Sequence, residues 1–311
     1  MRHGWGKPGR RAVTLIELLV VIAIIVILAA AMLPLMQPAL RGRDTREAAR
    51  QFNTFLMGAQ ARAAQRGRPV GVWLERNPAS TAGSFRMYVA EVPPPYAGET
   101  FSARVTITHL GGPPATQARA DFLLGCCAGA TPPMVQVGDL IRIDYRGPLY
   151  RITSVTAGTS VTFQLAGSGD QLPPAIAAPG VPFQIYRYPR KTAAAPLELP
   201  PSSSIDLSLS GVGSAGTELA AGTTPVIILF NPSGYVDRII SSGYTGRPAG
   251  TVHFLVGRSD QIAGLNLSDL SNIWVSVGHQ SGLIVSTASA GGADVASARQ
   301  IARSAQSIGG R

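Results

Sequence analysis

Arg10-Arg11-Ala12-Val13-Thr14-Leu15-Ile16-Glu17 leads into Leu18-Leu19-Val20-Val21-Ile22-Ala23-Ile24-Ile25-Val26-Ile27-Leu28-Ala29-Ala30-Ala31-Met32-Leu33, and Pro34 follows. From Leu18 to Leu33 no side chain is polar. With Val13–Ile16 in front, the run reaches about 20 residues, which as a helix spans the hydrocarbon core of a bilayer. One charge, Glu17, falls inside it. A carboxylate there costs about 2–3 kcal/mol on insertion, so it is a functional residue by default. The basic leader Arg2, Lys7, Arg10 and Arg11 ends at the small residue Ala12. A cut after Ala12 exposes an amine on Val13. That cation can pair with Glu17, and pairing is what makes a buried charge tolerable.

Ala-Val-Thr-Leu-Ile-Glu-Leu-Leu-Val-Val-Ile-Ala-Ile-Ile (12–25) resembles the N-terminal signal of type IV pilins and pseudopilins. The family keeps a glutamate and a proline where Glu17 and Pro34 stand. Ala12 departs from its usual glycine, and Val13 from its usual phenylalanine. The resemblance implies that a prepilin peptidase cuts between Ala12 and Val13 and methylates Val13. It further implies that Glu17 and Pro34 serve assembly and axial register among pilin subunits. A secretory signal peptide is cut after its apolar run. Here the signal precedes the run, so the helix is expected to be retained.

The charge is concentrated at one end. Residues 1–68 hold eleven Lys+Arg against three Asp+Glu, a net of +8, while residues 69–311 hold sixteen against fourteen, a net of +2. A strong phosphate-binding field over the rest of the chain is therefore not implied by the total of +10. Only 14% of residues are charged, and Gly (35) and Pro (24) are abundant, which suits a loop-rich β domain outside the cell. The two cysteines, Cys126 and Cys127, are adjacent and define neither a disulfide framework nor a zinc spacing.

Beyond Pro34 and Pro38, where a proline removes a backbone bond and kinks a helix, the pattern turns amphipathic. Ala48, Phe52, Phe55, Leu56, Ala59 and Ala63 form one apolar stripe, and Arg41, Arg43, Arg46, Arg50, Arg62 and Arg66 fall largely elsewhere. Gly67 and Pro69 are stop signals. The period then changes to two. Val70–Glu75 and Phe85–Val92 are expected strands around a turn at Asn77–Gly83. Residues 59–74 (Ala-Gln-Ala-Arg-Ala-Ala-Gln-Arg-Gly-Arg-Pro-Val-Gly-Val-Trp-Leu) and 228–234 (Ile-Leu-Phe-Asn-Pro-Ser-Gly) are similar to H-type minor pseudopilins, the GspH/FimT type. Residues 93–182 are foreign to that pattern. Within them Asp139–Tyr145, Leu149–Val155 and Ser160–Leu165 are expected strands of a small inserted β module. Phe183–Tyr188, Ile205–Ser210, Val226–Phe230, Val252–Val256, Ile273–Val277 and Leu283–Thr287 are assigned to the head, and the tail 288–311 to a loose helix or disorder.

The expected organisation is thus α+β: leader 1–12, membrane helix 13–38, amphipathic helix 39–68, a pilin β head from 69–92 and 183–311, and an inserted module at 93–182. The resemblance places the chain in the inner membrane, N-terminus cytoplasmic and head periplasmic, before it joins a fibre with other pilin or pseudopilin subunits. No phosphate loop, His-x-x-x-His pair or Gly-x-Ser-x-Gly is present. His3, His109, His253 and His279 are scattered, and Asp139 is expected as a turn residue. No enzyme activity, metal or cofactor is expected. An alternative partner is DNA, because some FimT-like pilins take it up. Arg299, Arg303 and Arg311 in the tail are the candidate contacts.

Overall fold

The computed structural model describes residues 15–112, 115–123, 134–156, 159–165, 171–242, 244–290 and 294–308, with side chains described except at 31–41 and 305–308. Ala12, Val13, Cys126, Cys127 and Arg311 lie outside the described residues, as does the side chain of Pro34.

The first element is one helix, α1, Leu15–Arg66, of 52 residues. Its length is about 78 Å at 1.5 Å per residue. The membrane and amphipathic segments expected to meet at 38/39 are therefore one element, and α1 runs through Pro34 and Pro38 without a break. Each proline withdraws a single donor from the ladder, and the remaining bonds carry the helix across. α1 stops before Gly67, whose φ of +63 is the left-handed conformation glycine adopts without penalty. The expected stripe is the buried one: Ala48, Phe52, Leu56, Ala59 and Ala63 are buried to 0–1%, and Phe55 packs beside them. Arg43, Arg46, Arg50, Arg62 and Arg66 are exposed.

Strands follow in three antiparallel sheets. β1 (Val70–Glu75), β2 (Gly83–Ser84) and β3 (Arg86–Glu91) come first. β4 (Val105–Leu110), β5 (Gln117–Phe122), β6 (Leu140–Ile143), β7 (Tyr150–Thr156), β8 (Ser160–Leu165), β9 (Ile176–Val181) and β10 (Phe183–Tyr186) come next. β11 (Arg190–Lys191), β12 (Leu197–Glu198), β13 (Ser203–Val212), β14 (Val226–Phe230), β15 (Val236–Ile240), β16 (Thr245–Gly246), β17 (Val252–Arg258), β18 (Ile273–Val277) and β19 (Ile284–Ala288) complete the set.

The first sheet has the order β11-β3-β1-β14-β15-β16, with β12 also on β3. Period-two alternation divides β1 between two faces. Val70, Val72 and Leu74 face α1, and Trp73 faces away. Gly71 is required where β1 meets β14, because a Cβ there would run into the carbonyl of Ile228. The third sheet, β19-β18-β17-β13-β2, offers Ile205, Leu207, Phe254, Val256, Val275 and Val277 to the same core. α1 thus packs on both sheets, and Phe52 meets Phe254 edge to face at 5.3 Å.

The second sheet, β10-β6-β7-β8-β5-β4-β9, is built wholly from residues 105–186. Its edge strands β9 and β10 are separated only by Pro182, so the sheet curls around its own core of Val105, Ile107, Ile141, Ile152, Phe163 and Phe183. The strands expected at 139–165 are three of its seven. The boundary expected at 182/183 falls inside this sheet: β10 pairs with β6, Phe183 opposite Ile143. Phe183 and Ile185 are buried here because tertiary pairing, not local pattern, chooses a strand's partner.

That boundary can be tested by excision. Replacing residues 93–186 by a short Gly/Ser linker should leave a protein that melts cooperatively in detergent, because the core around α1 contains none of them. Excising only 93–182 should leave Phe183 and Ile185 without a core and give a less soluble protein. Loss of a cooperative melt by near-UV circular dichroism after the larger excision would place residues 93–186 within the folding unit of the head.

Candidate functional site

The N-terminal half of α1 behaves unlike the rest of the protein. From Leu15 to Leu28 its large apolar side chains are exposed, from 48% at Val20 to 83% at Leu15. They surround the helix instead of forming a stripe. A helix that is apolar all round is stable when another apolar phase or a set of partner helices covers it. Among the described residues, no helix is long and apolar enough to cross a membrane. Glu17 stands in the first turn of α1, exposed among these side chains. A carboxylate there also complements the positive end of the helix dipole. Ala12 and Val13, the expected cleavage residues, precede the described residues, so the site described is Glu17 and the apolar surface that follows it.

The tail arginines do not join that site. α2, Val295–Ile308, lies against the outer face of the third sheet, where Ala298 and Ala302 pack with Leu209, Leu255 and Trp274. Arg299, expected as a nucleic-acid contact, is 1% exposed. It donates Nη2 to the Leu209 carbonyl at 2.7 Å, and Nη1 to the carbonyls of Gly216 at 2.9 Å and Gly213 at 3.2 Å. Its guanidinium also lies over Trp274 at 5.9 Å. Burial lowers its pKa to about 10, so it remains a cation at neutral pH. Its two terminal nitrogens are spent on carbonyls while Nε is buried without a hydrogen-bond partner, and Arg299 is corrected from a surface contact to an internal staple. Arg303, one turn on, is exposed. A face of Val295, Ala298, Arg299 and Ala302 at steps of three and four was the available signal for this helix.

A second buried guanidinium escaped the sequence reading. Arg76 is 6% exposed and donates to the carbonyls of Thr81, Leu219, Ala221 and Thr224 at 2.6–2.8 Å. Asp139 does more than start a strand. It is fully buried, and its carboxylate accepts the amides of Gln136 at 2.9 Å and Tyr188 at 2.7 Å, so it ties the second sheet to the segment that leaves it after β10. Burial raises its pKa. His109 reaches the Pro173 carbonyl at 2.8 Å, and His253 the Ser276 hydroxyl at 2.8 Å. Among the described residues no three His, Cys, Asp or Glu side chains gather as a metal site.

His253 makes stability depend on pH. It is 1% exposed, and burial, then the charges of Arg299 and Arg303, hold its pKa down at about 4. The unfolded chain takes up this proton near pH 6.5 and the folded chain only near 4. Its contribution is therefore complete above about 6.5 and is lost as pH falls toward 4, by up to about 3 kcal/mol. Urea midpoints at pH 7.5 and 4.5 should separate strongly for the wild type. His253→Gln should reduce that separation, and an undiminished separation would remove His253 as its source.

Residues 7–33 match the family model described as the prokaryotic N-terminal methylation motif. No curated protein and no solved structure matches the chain. The matched segment takes in Lys7, Arg10, Arg11, Ala12, Val13, Glu17 and the apolar surface at the start of α1. This chain carries the N-terminal methylation motif, consistent with a type IV pilin or pseudopilin and supporting its reading as a type IV pilin-like precursor.

Proposed function

We propose that the chain is a minor pilin or pseudopilin precursor anchored in the inner membrane by the first half of α1. A prepilin peptidase cuts it between Ala12 and Val13 and methylates Val13. The subunit then enters a helical fibre, a type II secretion pseudopilus or a type IV pilus, with its head on the outside. The observation that carries this reading is the continuity of α1. One helix presents apolar side chains all round near its start and a single buried stripe farther on. The first half demands lipid or neighbouring helices, and the second is the spine of the head. The arginines at 43, 46, 50 and 62 stay on the surface, available to neighbouring subunits. The DNA-uptake reading is favoured by no observation, since Arg299 is buried.

Processing is the direct test. N-terminal analysis of membrane-extracted protein should begin at Val13 with a methylated amine. An intact Met1, or a start beyond Leu33, would overturn the assignment.

Glu17 is proposed to pair with the Val13 amine, in its own chain or in the neighbouring subunit. In lipid a lone subunit can let Glu17 reach the headgroups. Among packed helices an unpaired charge is costly, while a paired one fixes axial register in a way Leu against Leu cannot. Glu17→Ala should therefore leave insertion and head folding intact and affect cutting little. Methylation and crosslinking to the major fibre subunit should both fall. Normal incorporation of the variant would remove the register role.

A further inference from the structure

Between the outer face of the first sheet and the second sheet lies a cleft of about 840 Å3. Val92, Leu140, Tyr188 and Ile240 give it apolar walls, and the linking segment Pro93-Pro94-Pro95 also lines it. Five arginines reach it: Arg66, Arg68, Arg151, Arg187 and Arg238; no lining residue is acidic.

These charges are incompletely neutralised. Arg68 holds Glu91 at 2.9 Å, but Arg66 is 3.9 Å from that same carboxylate, and Arg238 is 3.7 Å from Asp237. Arg151 and Arg187 have no carboxylate within ion-pair distance among the described residues. Arg187 instead donates Nε to the Pro94 carbonyl at 3.0 Å. Beside it, Nε and Nη2 of Arg190 are buried without a partner. Asp139 lies behind the wall, its carboxylate oxygens accepting backbone amides; its charge acts on Arg187 and Arg190 from beyond ion-pair distance and offsets only part of theirs. Like charges held together in partly desolvated surroundings repel, and an anion relieves that repulsion.

We infer that this cleft binds an acidic, extended peptide segment of another polypeptide. Its carboxylates lie on the arginine forks, which match carboxylates bidentately, and its aliphatic side chains lie on the apolar walls. The volume falls in the range of sites that enclose a short ligand against mostly apolar surface with a few polar groups. A single inorganic ion cannot engage arginines drawn from the end of α1, β7, β15 and the segment after β10. A backbone template is present too. β16 is the terminal strand of the first sheet, and Thr245 on it lines the cleft. Its unpaired edge can accept an added strand. Nucleic acid fits less well because it needs open ring faces for stacking. Tyr186 carries Arg142 over its ring at 5.3 Å, and Tyr188 meets Trp73 edge to face at 6.5 Å. The inference holds whether or not the chain enters a fibre.

The test uses the full chain in detergent and three fluorescent probes: an octapeptide alternating Glu and Leu, the same peptide with Gln for Glu, and an eight-residue thymidine oligonucleotide. Anisotropy should show the Glu peptide binding about tenfold or more tighter than the Gln peptide, as expected for lost charge-assisted pairs. Arg151→Glu and Arg238→Glu, at partly or fully exposed positions, should each weaken it by about tenfold while leaving the thermal melt unchanged. Arg146→Glu is the control, because Arg146 is 83% exposed and lies outside the lining. It should shift affinity less than about twofold, as a screened surface charge does. Equal binding of the two peptides, an equal loss in Arg146→Glu, tighter binding of the oligonucleotide, or no peptide binding would each overturn the proposal. The comparison of the two peptides on wild-type protein stands even where a variant fails to fold.

Discussion

The structure depends on the burial of one stripe of one helix. Ala48, Phe52, Leu56, Ala59 and Ala63 lie where the first and third sheets share a core, and without them both sheets would expose an apolar face. Phe52 and Leu56 contribute most, at about 1.5–3 kcal/mol each when fully buried. The alanines contribute closeness, because small side chains let the helix approach the strands. Since α1 is unbroken from Leu15 to Arg66, whatever holds its apolar first half is mechanically coupled to the core of the head. A load along the helix reaches the sheets through packed side chains and not through a flexible linker.

Polar chemistry in the interior follows a second pattern. Arg76 and Arg299 are buried, and each holds a fan of carbonyls instead of a close carboxylate, with Nε of Arg299 left unpartnered. Irregular segments leave carbonyls unpaired, and a buried carbonyl without a donor is costly. One guanidinium with its fixed fork can gather several of them. Arg76 organises the loop at 219–224 in this way, and Arg299 clamps α2 to the turn at 213–216. Exposed pairs such as Arg50 with Glu47 contribute far less, because solvent screens them and the side chains lose freedom. The cleft arginines belong to neither class: Arg68, Arg187 and Arg238 are half-buried, Arg66 and Arg151 exposed, and Arg151 and Arg187 have no carboxylate within ion-pair distance among the described residues.

Local information resolved much of this molecule. The signal around Ala12, Val13 and Glu17, the stripe of α1, its end at Gly67, and strands such as Val70–Glu75, Val226–Phe230 and Ile273–Val277 depend on charge, periodicity and turn residues within a few positions. The sequence by itself therefore determined where the motif lies, that α1 has two differently apolar halves, and that the remainder is antiparallel β. Tertiary structure alone decided which strands pair. It put Phe183–Tyr186 with β6, although the pattern there reads equally well in either sheet. It turned Arg299 inward, although an arginine in an alanine-rich tail reads as a surface residue. It also assembled the cleft from segments as distant as Arg66 and Thr245. The physical reason is common to all three. Periodicity records which side of an element avoids water, whereas partner choice and the convergence of charges depend on contacts between residues far apart in the chain.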